Sequence, residues 1–211
     1  MNPKANDAAG SDTWEALRRE REFLARFLAG YPTRIRTPQE ARTVQEHWDR
    51  AIRLAEELAR ASPAPAGVRV ILADLLRMGH NMDVPEAGHA CQQILTEVLA
   101  ADPENAEAHY TMGQLLVSVN PAFAPAAEKH LLAVVRLSPA VSPNVYQALG
   151  FACLYQKRVP EAISYFERYL GQVGGDPAVK TVVDHLRSGA GYKIGFKPAA
   201  PPKRKWWQFW K

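Results

Sequence analysis

The stretches Val84-Pro85-Glu86-Ala87 and Val159-Pro160-Glu161-Ala162 are nearly identical and stand 75 residues apart. Each opens a segment whose apolar residues recur at helical spacing. The two segments end before Asp102-Pro103 and Asp176-Pro177, respectively. About half of that distance is the length of a two-helix solenoid unit, and a third unit of this kind fits between the two. The spacing therefore predicts an all-α stack of helix hairpins.

Helical patterns cover most of the rest of the chain. A first pair of helices is expected between residues 12 and 62, with start signals at Asp12-Thr13-Trp14-Glu15 and at Thr37-Pro38-Gln39-Glu40. Three more pairs and a short polar-backed capping helix are expected at 66–79 and 85–101, 105–119 and 124–137, 143–156 and 160–172, and 177–188. The predicted organisation is a disordered start at 1–10, a helical-repeat domain at 11–188 and a flexible tail at 189–211.

Two of the predicted hairpins share a pattern of large, small and aromatic positions. The pattern in residues 143–177 consists of Tyr146, Leu149-Gly150, Ala162, Phe166 and Pro177. In residues 106–139 it consists of His109, Met112-Gly113, Ala127, Leu131 and Pro139, with two extra residues in the turn. This pattern resembles the tetratricopeptide repeat (TPR) family, most closely over 106–177 and more weakly over 66–103. The resemblance implies a right-handed α-solenoid whose concave groove binds another protein or peptide.

The resemblance also implies which residues line that groove, because the first helix of each hairpin faces it in this family. These residues are Tyr110, Gln114, Val117, Ser118, Asn144, Gln147, Phe151, Leu154 and Tyr155. Chaperone-binding members clamp a peptide carboxylate with cations, but Tyr110 and Gln147 stand here instead. Amides and aromatic rings suit an extended peptide or a helix with apolar side chains. The alternative is that Val117, Phe151 and Leu154 only pack between helices.

Composition indicates an ordinary soluble globular chain. Its 211 residues are 47% hydrophobic and 23% charged, and no apolar run reaches the roughly 18 residues of a membrane span. The polar N-terminus lacks the features of a secretory signal, so a cytoplasmic protein is expected. Cys91 and Cys153 fall within apolar helical patterns, which favours reduced thiols in a core over a disulfide.

The sequence contains no recognisable catalytic or metal-binding motif. There is no phosphate-binding loop, no Gly-x-Ser-x-Gly elbow and no His-Glu-x-x-His pair. His80, His89 and Cys91 are close in sequence, but His80 is expected in a loop, and residues two apart on a helix point in different directions. We therefore expect no enzyme activity, no cofactor and no metal site.

The last residues differ in composition from the rest of the chain. Residues 185–211 contain seven basic and no acidic residues, which leaves residues 1–184 with a net charge of −3. A proline-rich spacer leads into the motif of Lys203, Arg204, Lys205, Trp206, Trp207, Phe209, Trp210 and Lys211. Tryptophan favours the membrane–water interface and basic residues are attracted to anionic lipid. The segment is thus expected to dock peripherally on a membrane surface.

Three other roles of this tail stay open. Its tryptophans suit a pocket of a partner protein. They equally suit the groove of this chain or of a second copy, which would produce autoinhibition or a dimer. Stacking on single-stranded nucleic acid beside lysines is the third role, although the acidic body gives it little support. The sequence as a whole predicts a non-enzymatic adaptor that binds a partner segment in its groove and docks through its tail.

Overall fold

The computed structural model describes residues 3–30, 33–60 and 67–189, with side chains described from residue 11 onward. Apart from turns and short connections, this part of the chain is helical and contains no strand. Its α-helices are α1 (Pro3–Leu28), α2 (Pro38–Arg60), α3 (Val68–Asn81), α4 (Ala87–Ala101), α5 (Ala106–Val119), α6 (Ala124–Leu137), α7 (Pro143–Tyr155), α8 (Val159–Val173) and α9 (Pro177–Arg187). A short 3-10 helix, Pro121–Phe123, occupies the turn between α5 and α6. The prediction of an all-α chain is confirmed for these residues.

The helices pack in the order in which they follow one another. Each of α1–α2, α3–α4, α5–α6 and α7–α8 forms a hairpin, and the second helix of each hairpin contacts the next helix along the chain. The first helices of the four hairpins also contact one another in series. This nearest-neighbour pattern is compatible with an α-solenoid. The first hairpin, which has only a general helical pattern in sequence, follows the same packing rule as the other three.

The core runs through the whole stack because each buried cluster draws on several successive helices. One cluster joins α1, α2 and α3, a second joins α3 through α6, and a third joins α6 through α9. Helix α9 contributes four buried residues at helical spacing, Val179, Val182, Val183 and Leu186. Exposed polar residues such as Lys180 and Asp184 lie between them. This helix therefore covers the apolar face of the last hairpin.

The helix start signals differ in their outcome. The capping box at α2 is confirmed, because the Glu40 backbone N–H donates to Thr37 Oγ1 and the Thr37 N–H donates to the Glu40 carboxylate, both at 3.1 Å. The start expected at Asp12 is wrong. Helix α1 begins at Pro3 and passes through Asp12, so it also takes in most of the stretch expected to be disordered. The alanines of residues 3–10 are the best helix formers, and they extend the helix upstream.

The position predicted for His80 is a second correction. Helix α3 runs on to Asn81, so His80 lies in its last turn instead of in a loop. The backbone carbonyl of His80 accepts a hydrogen bond from the Asp83 N–H at 3.0 Å. Asp83 has a φ of 60°, a left-handed conformation that reverses the chain without a glycine. This helix therefore ends without a glycine at the left-handed position, where glycine commonly marks a helix end.

Candidate partner-binding groove

A cavity of about 640 Å³ opens on the face formed by the first helices of the hairpins. Its floor consists of residues from α5 and α7, and eight of the nine residues assigned to the groove from sequence line it, among them Tyr110, Gln114, Val117, Asn144, Gln147, Phe151 and Tyr155. Ser118 lines the cavity as well, whereas Leu154 is buried in the core. The spacing of three or four residues puts each set on one face of its helix. Contact between α5 and α7 then joins the two faces.

Hydrogen bonds order the polar part of this floor. Gln114 Nε2 donates to the Tyr110 hydroxyl at 3.2 Å, and the Asn144 side chain of α7 lies close to the same hydroxyl. Burial raises the pKa of Tyr110. The phenol therefore stays neutral at physiological pH and can both donate and accept. These groups form a connected polar strip across α5 and α7.

Aromatic side chains form the second part of the floor. The ring centroid of Phe151 lies 5.0 Å from that of Phe166 in an edge arrangement, and 6.4 Å from that of Tyr155. Both Phe151 and Val117 pack against the buried core while lining the cavity. The two interpretations left open for these residues are thus not exclusive. Each contributes one side to the core and another to the groove.

The walls of the cavity come from the two ends of the stack. One wall consists of Ala25, Ala29, Gly30 and Arg34, at the end of α1 and in the connection to α2. A second wall consists of Tyr169, Asp176, Ala178, Val179 and Val182, from α8, α9 and the turn between them. The sequence predicts neither wall. No local pattern marks them, since they meet only because the stack brings distant helices to the same cavity.

A buried polar cluster fixes the wall formed by α1. Arg77 Nη1 donates to the Ala29 carbonyl at 3.2 Å, and Asn81 Nδ2 donates to the Leu28 carbonyl at 3.1 Å. These bonds satisfy carbonyls that the end of α1 would leave unpaired. The buried carboxylate of Asp74 in turn accepts a hydrogen bond from Arg77 Nε at 2.9 Å. Helix α3 therefore positions the end of α1 at the rim of the groove.

Two opposite charges, Asp176 and Arg34, line the cavity. Asp176 accepts from the Tyr169 hydroxyl at 2.9 Å and caps α9 by accepting from the Ala178 N–H at 3.0 Å. Burial opposes ionisation of Asp176, but these hydrogen bonds and the charge of Arg34 outweigh it and lower its pKa. Asp176 is thus ionised at neutral pH with its oxygens engaged. The guanidinium of Arg34 is the cation among the described lining residues.

A smaller cavity of about 290 Å³ lies at the edge of the stack, between the turns that end α3 and α5. His80, His89 and the exposed ring of Phe123 line it. Cys91 of α4 does not line it, because its side chain is buried in the core. Within the part of the chain that the structure describes, no group of three or more metal-binding side chains comes together. The groove is therefore the larger of these two candidate sites and the one that the sequence anticipated.

The basic and aromatic tail motif, Lys203 to Lys211, lies outside the described residues. Among the described helices, none is both long enough and apolar enough to cross a membrane. Comparison with protein-family models, with curated proteins and with solved structures finds no match.

Proposed function

We propose that this chain is a non-enzymatic adaptor, a right-handed TPR-like solenoid whose groove binds an extended segment of a partner protein. The basic and aromatic tail docks the resulting complex on an anionic membrane surface. The observation that carries the proposal is the convergence of eight of the nine sequence-assigned residues on one cavity.

The chemistry of the groove supports a peptide ligand. Its volume lies in the range of about 300–1,000 Å³ that is typical of ligand sites. The amides of Gln114, Asn144 and Gln147 can each donate to and accept from the backbone of an extended chain. The rings of Phe151 and Tyr155 provide apolar surface for alternate side chains of that chain. A groove with both features selects a segment by its backbone and by a few apolar side chains.

The tail role rests on composition. Basic residues next to a cluster of tryptophans combine electrostatic attraction with interfacial insertion, the two signals that peripheral anchoring needs. The seven positive charges after Asp184 are separated from the groove floor in sequence. Partner binding and membrane docking can therefore occur on one molecule.

The groove is tested with a displayed library of random peptides selected on the full chain. Ala29 is exposed on the groove wall, so Ala29→Trp fills the cavity without altering the core. Ala126 is equally exposed on α6, outside the cavity, and Ala126→Trp is the matched control. We expect selected peptides to lose at least ten-fold in affinity for Ala29→Trp and to bind Ala126→Trp as they bind the natural chain. Failure to enrich any peptide, or equal binding to both variants, would reject the groove as the site.

A further inference from the structure

We infer that the groove is occupied in the free protein by the chain's own aromatic tail, residues 203–211, which a partner segment must displace. This inference rests on the proposed function, because it names a competitor for the same groove. It makes the adaptor autoinhibited and couples its two activities, since a partner that enters the groove releases the tail for docking.

The tail starts beside the groove. Val179 and Val182 of α9 line the cavity, and α9 ends at Arg187, about 8 Å further along the helix axis. Sixteen residues, 190–205, precede Trp206. They span up to about 50 Å when extended, which exceeds the length of α9 several times. Chain length therefore allows the tryptophans to reach any part of the cavity.

The groove and the tail are chemically complementary. Aromatic side chains favour edge and offset contacts with other rings, and the groove presents Tyr110, Phe151, Tyr155 and Tyr169. An indole N–H needs an acceptor when it is buried, and the amide oxygens of the floor supply acceptors. Exposed apolar clusters of this kind mark binding segments, so the tail favours any apolar groove within reach.

Charge and tethering both favour the intramolecular contact. Residues 190–211 contain six basic and no acidic residues, whereas residues 1–189 have a net charge of −2. Tethering supplies a local concentration on the order of millimolar. A tail that binds the groove with only micromolar intrinsic affinity would therefore occupy it most of the time. The apparent affinity of the chain for a partner segment is then reduced by the fraction of molecules whose groove is empty.

The test uses a fluorescein-labelled synthetic peptide with the sequence of residues 198–211. It is titrated into the natural full chain and into the full-length variant Trp206→Ala/Trp207→Ala/Trp210→Ala, whose own tail no longer competes. We expect the variant to bind the peptide at least ten-fold more tightly than the natural chain does. Adding Ala29→Trp to the variant is expected to abolish this binding, whereas adding Ala126→Trp is expected to preserve it.

Three results would overturn the inference. The peptide could fail to bind the variant, or it could bind the natural chain and the variant equally. The weaker binding of the peptide to the natural chain could also depend on protein concentration, which would mean that the tail occupies the groove of a second copy. The selected library peptides distinguish this failure from failure of the proposed function. If they bind the groove while the tail peptide does not, the groove is a partner site without self-occupation.

Discussion

Gly150 of α7 lies directly against the ring of Phe166 in α8. A Cβ atom placed on Gly150 would lie 2.5 Å from a ring carbon of Phe166, far inside any normal contact. Phe166 is fully buried, so its ring has no free space in which to move. Helices α7 and α8 therefore pack this closely only because residue 150 has no side chain. The ring of Phe166 also contacts Phe151 at the groove.

Gly150→Ala is expected to destabilise the protein by about 1–3 kcal/mol, the usual cost of overpacking a core. Gly171 in α8 provides the matched control, because nothing lies within 4 Å of the position of its Cβ. Gly171→Ala should stabilise by about 0.5–1 kcal/mol, since alanine is the better helix former. Urea unfolding followed by circular dichroism measures both. Equal effects of the two substitutions would contradict the close contact.

The charge on Asp74 is expected to be among the most important in the fold. Its buried carboxylate accepts from Arg21 Nε at 2.8 Å and from Arg77 Nε at 2.9 Å. Asp74→Asn should cost about 3–5 kcal/mol, because it leaves buried guanidinium charge without a counter-charge. Glu15→Gln removes the exposed pair with Arg18 and should cost under about 0.5 kcal/mol. If Asp74→Asn unfolded at the same urea concentration as the natural chain, the cluster would carry no stability.

The same cluster predicts a loss of stability in acid. Burial of Asp74 opposes ionisation, but the charges of Arg77 and Arg21 outweigh it and lower its pKa in the folded state. Its contribution is therefore complete above the unfolded-state pKa of about 3.9 and is lost as the pH falls below that value toward the folded pKa. Comparing the unfolding free energy of the natural chain and of Asp74→Asn between pH 5 and pH 2 checks this. The difference between them should shrink with acidification, and a constant difference would contradict it.

A histidine pair between α5 and α6 predicts a second pH dependence. His109 and His130 bring their Nδ1 atoms to 2.8 Å, and His109 Nε2 donates to the Pro103 carbonyl at 3.0 Å. His109 Nδ1 therefore accepts a hydrogen bond from the Nδ1–H of His130. If both rings were protonated, two Nδ1–H donors would point at each other. Burial, and after it the charges of His109 and Lys129, lower the pKa of His130 in the folded state.

A histidine whose folded pKa is lowered stabilises the fold above its unfolded pKa of about 6.5 and loses that contribution as the pH falls below it. We expect the unfolding free energy to fall between pH 7 and pH 5 on this account. His130→Gln should show a shallower slope over that interval in urea titrations at each pH. Parallel slopes would exclude the pair as the cause.

The two thiols are expected to be unreactive in the native chain. Both cysteines are free and buried, in agreement with the sequence. Burial raises the pKa of Cys91 to about 12 and, with the nearby charge of Glu128, that of Cys153 to about 11. Because the thiolate is the nucleophile, iodoacetamide at pH 8 should modify either thiol more than about 100-fold more slowly than in urea. Intact-mass spectrometry measures the modification, and rapid native labelling would show that the thiols are accessible.

The tail should confer binding to anionic vesicles. In the presence of a selected groove-binding peptide, which releases the tail, we expect the full chain to co-sediment with vesicles that contain phosphatidylserine and not with neutral ones. Trp206→Ala/Trp207→Ala/Trp210→Ala should lose most of this binding because it lacks the interfacial anchors. Vesicle binding by that variant equal to that of the natural chain would remove the membrane role and leave the tail as a protein-binding motif.

The sequence by itself determined the all-α class, the positions of most helices and the floor of the groove. These features follow from local periodicity, and the side chains of Tyr110 and Gln114, for example, share a face through helix geometry alone. The tertiary structure decided which residues oppose that floor. Arg34 and Asp176 lie 142 residues apart in the chain and line one cavity, because the packing of successive helices brings the two segments together. The pairing of Arg21 in α1 with Asp74 in α3 likewise depends on packing between helices, whereas Arg77 reaches Asp74 from three residues further along the same helix.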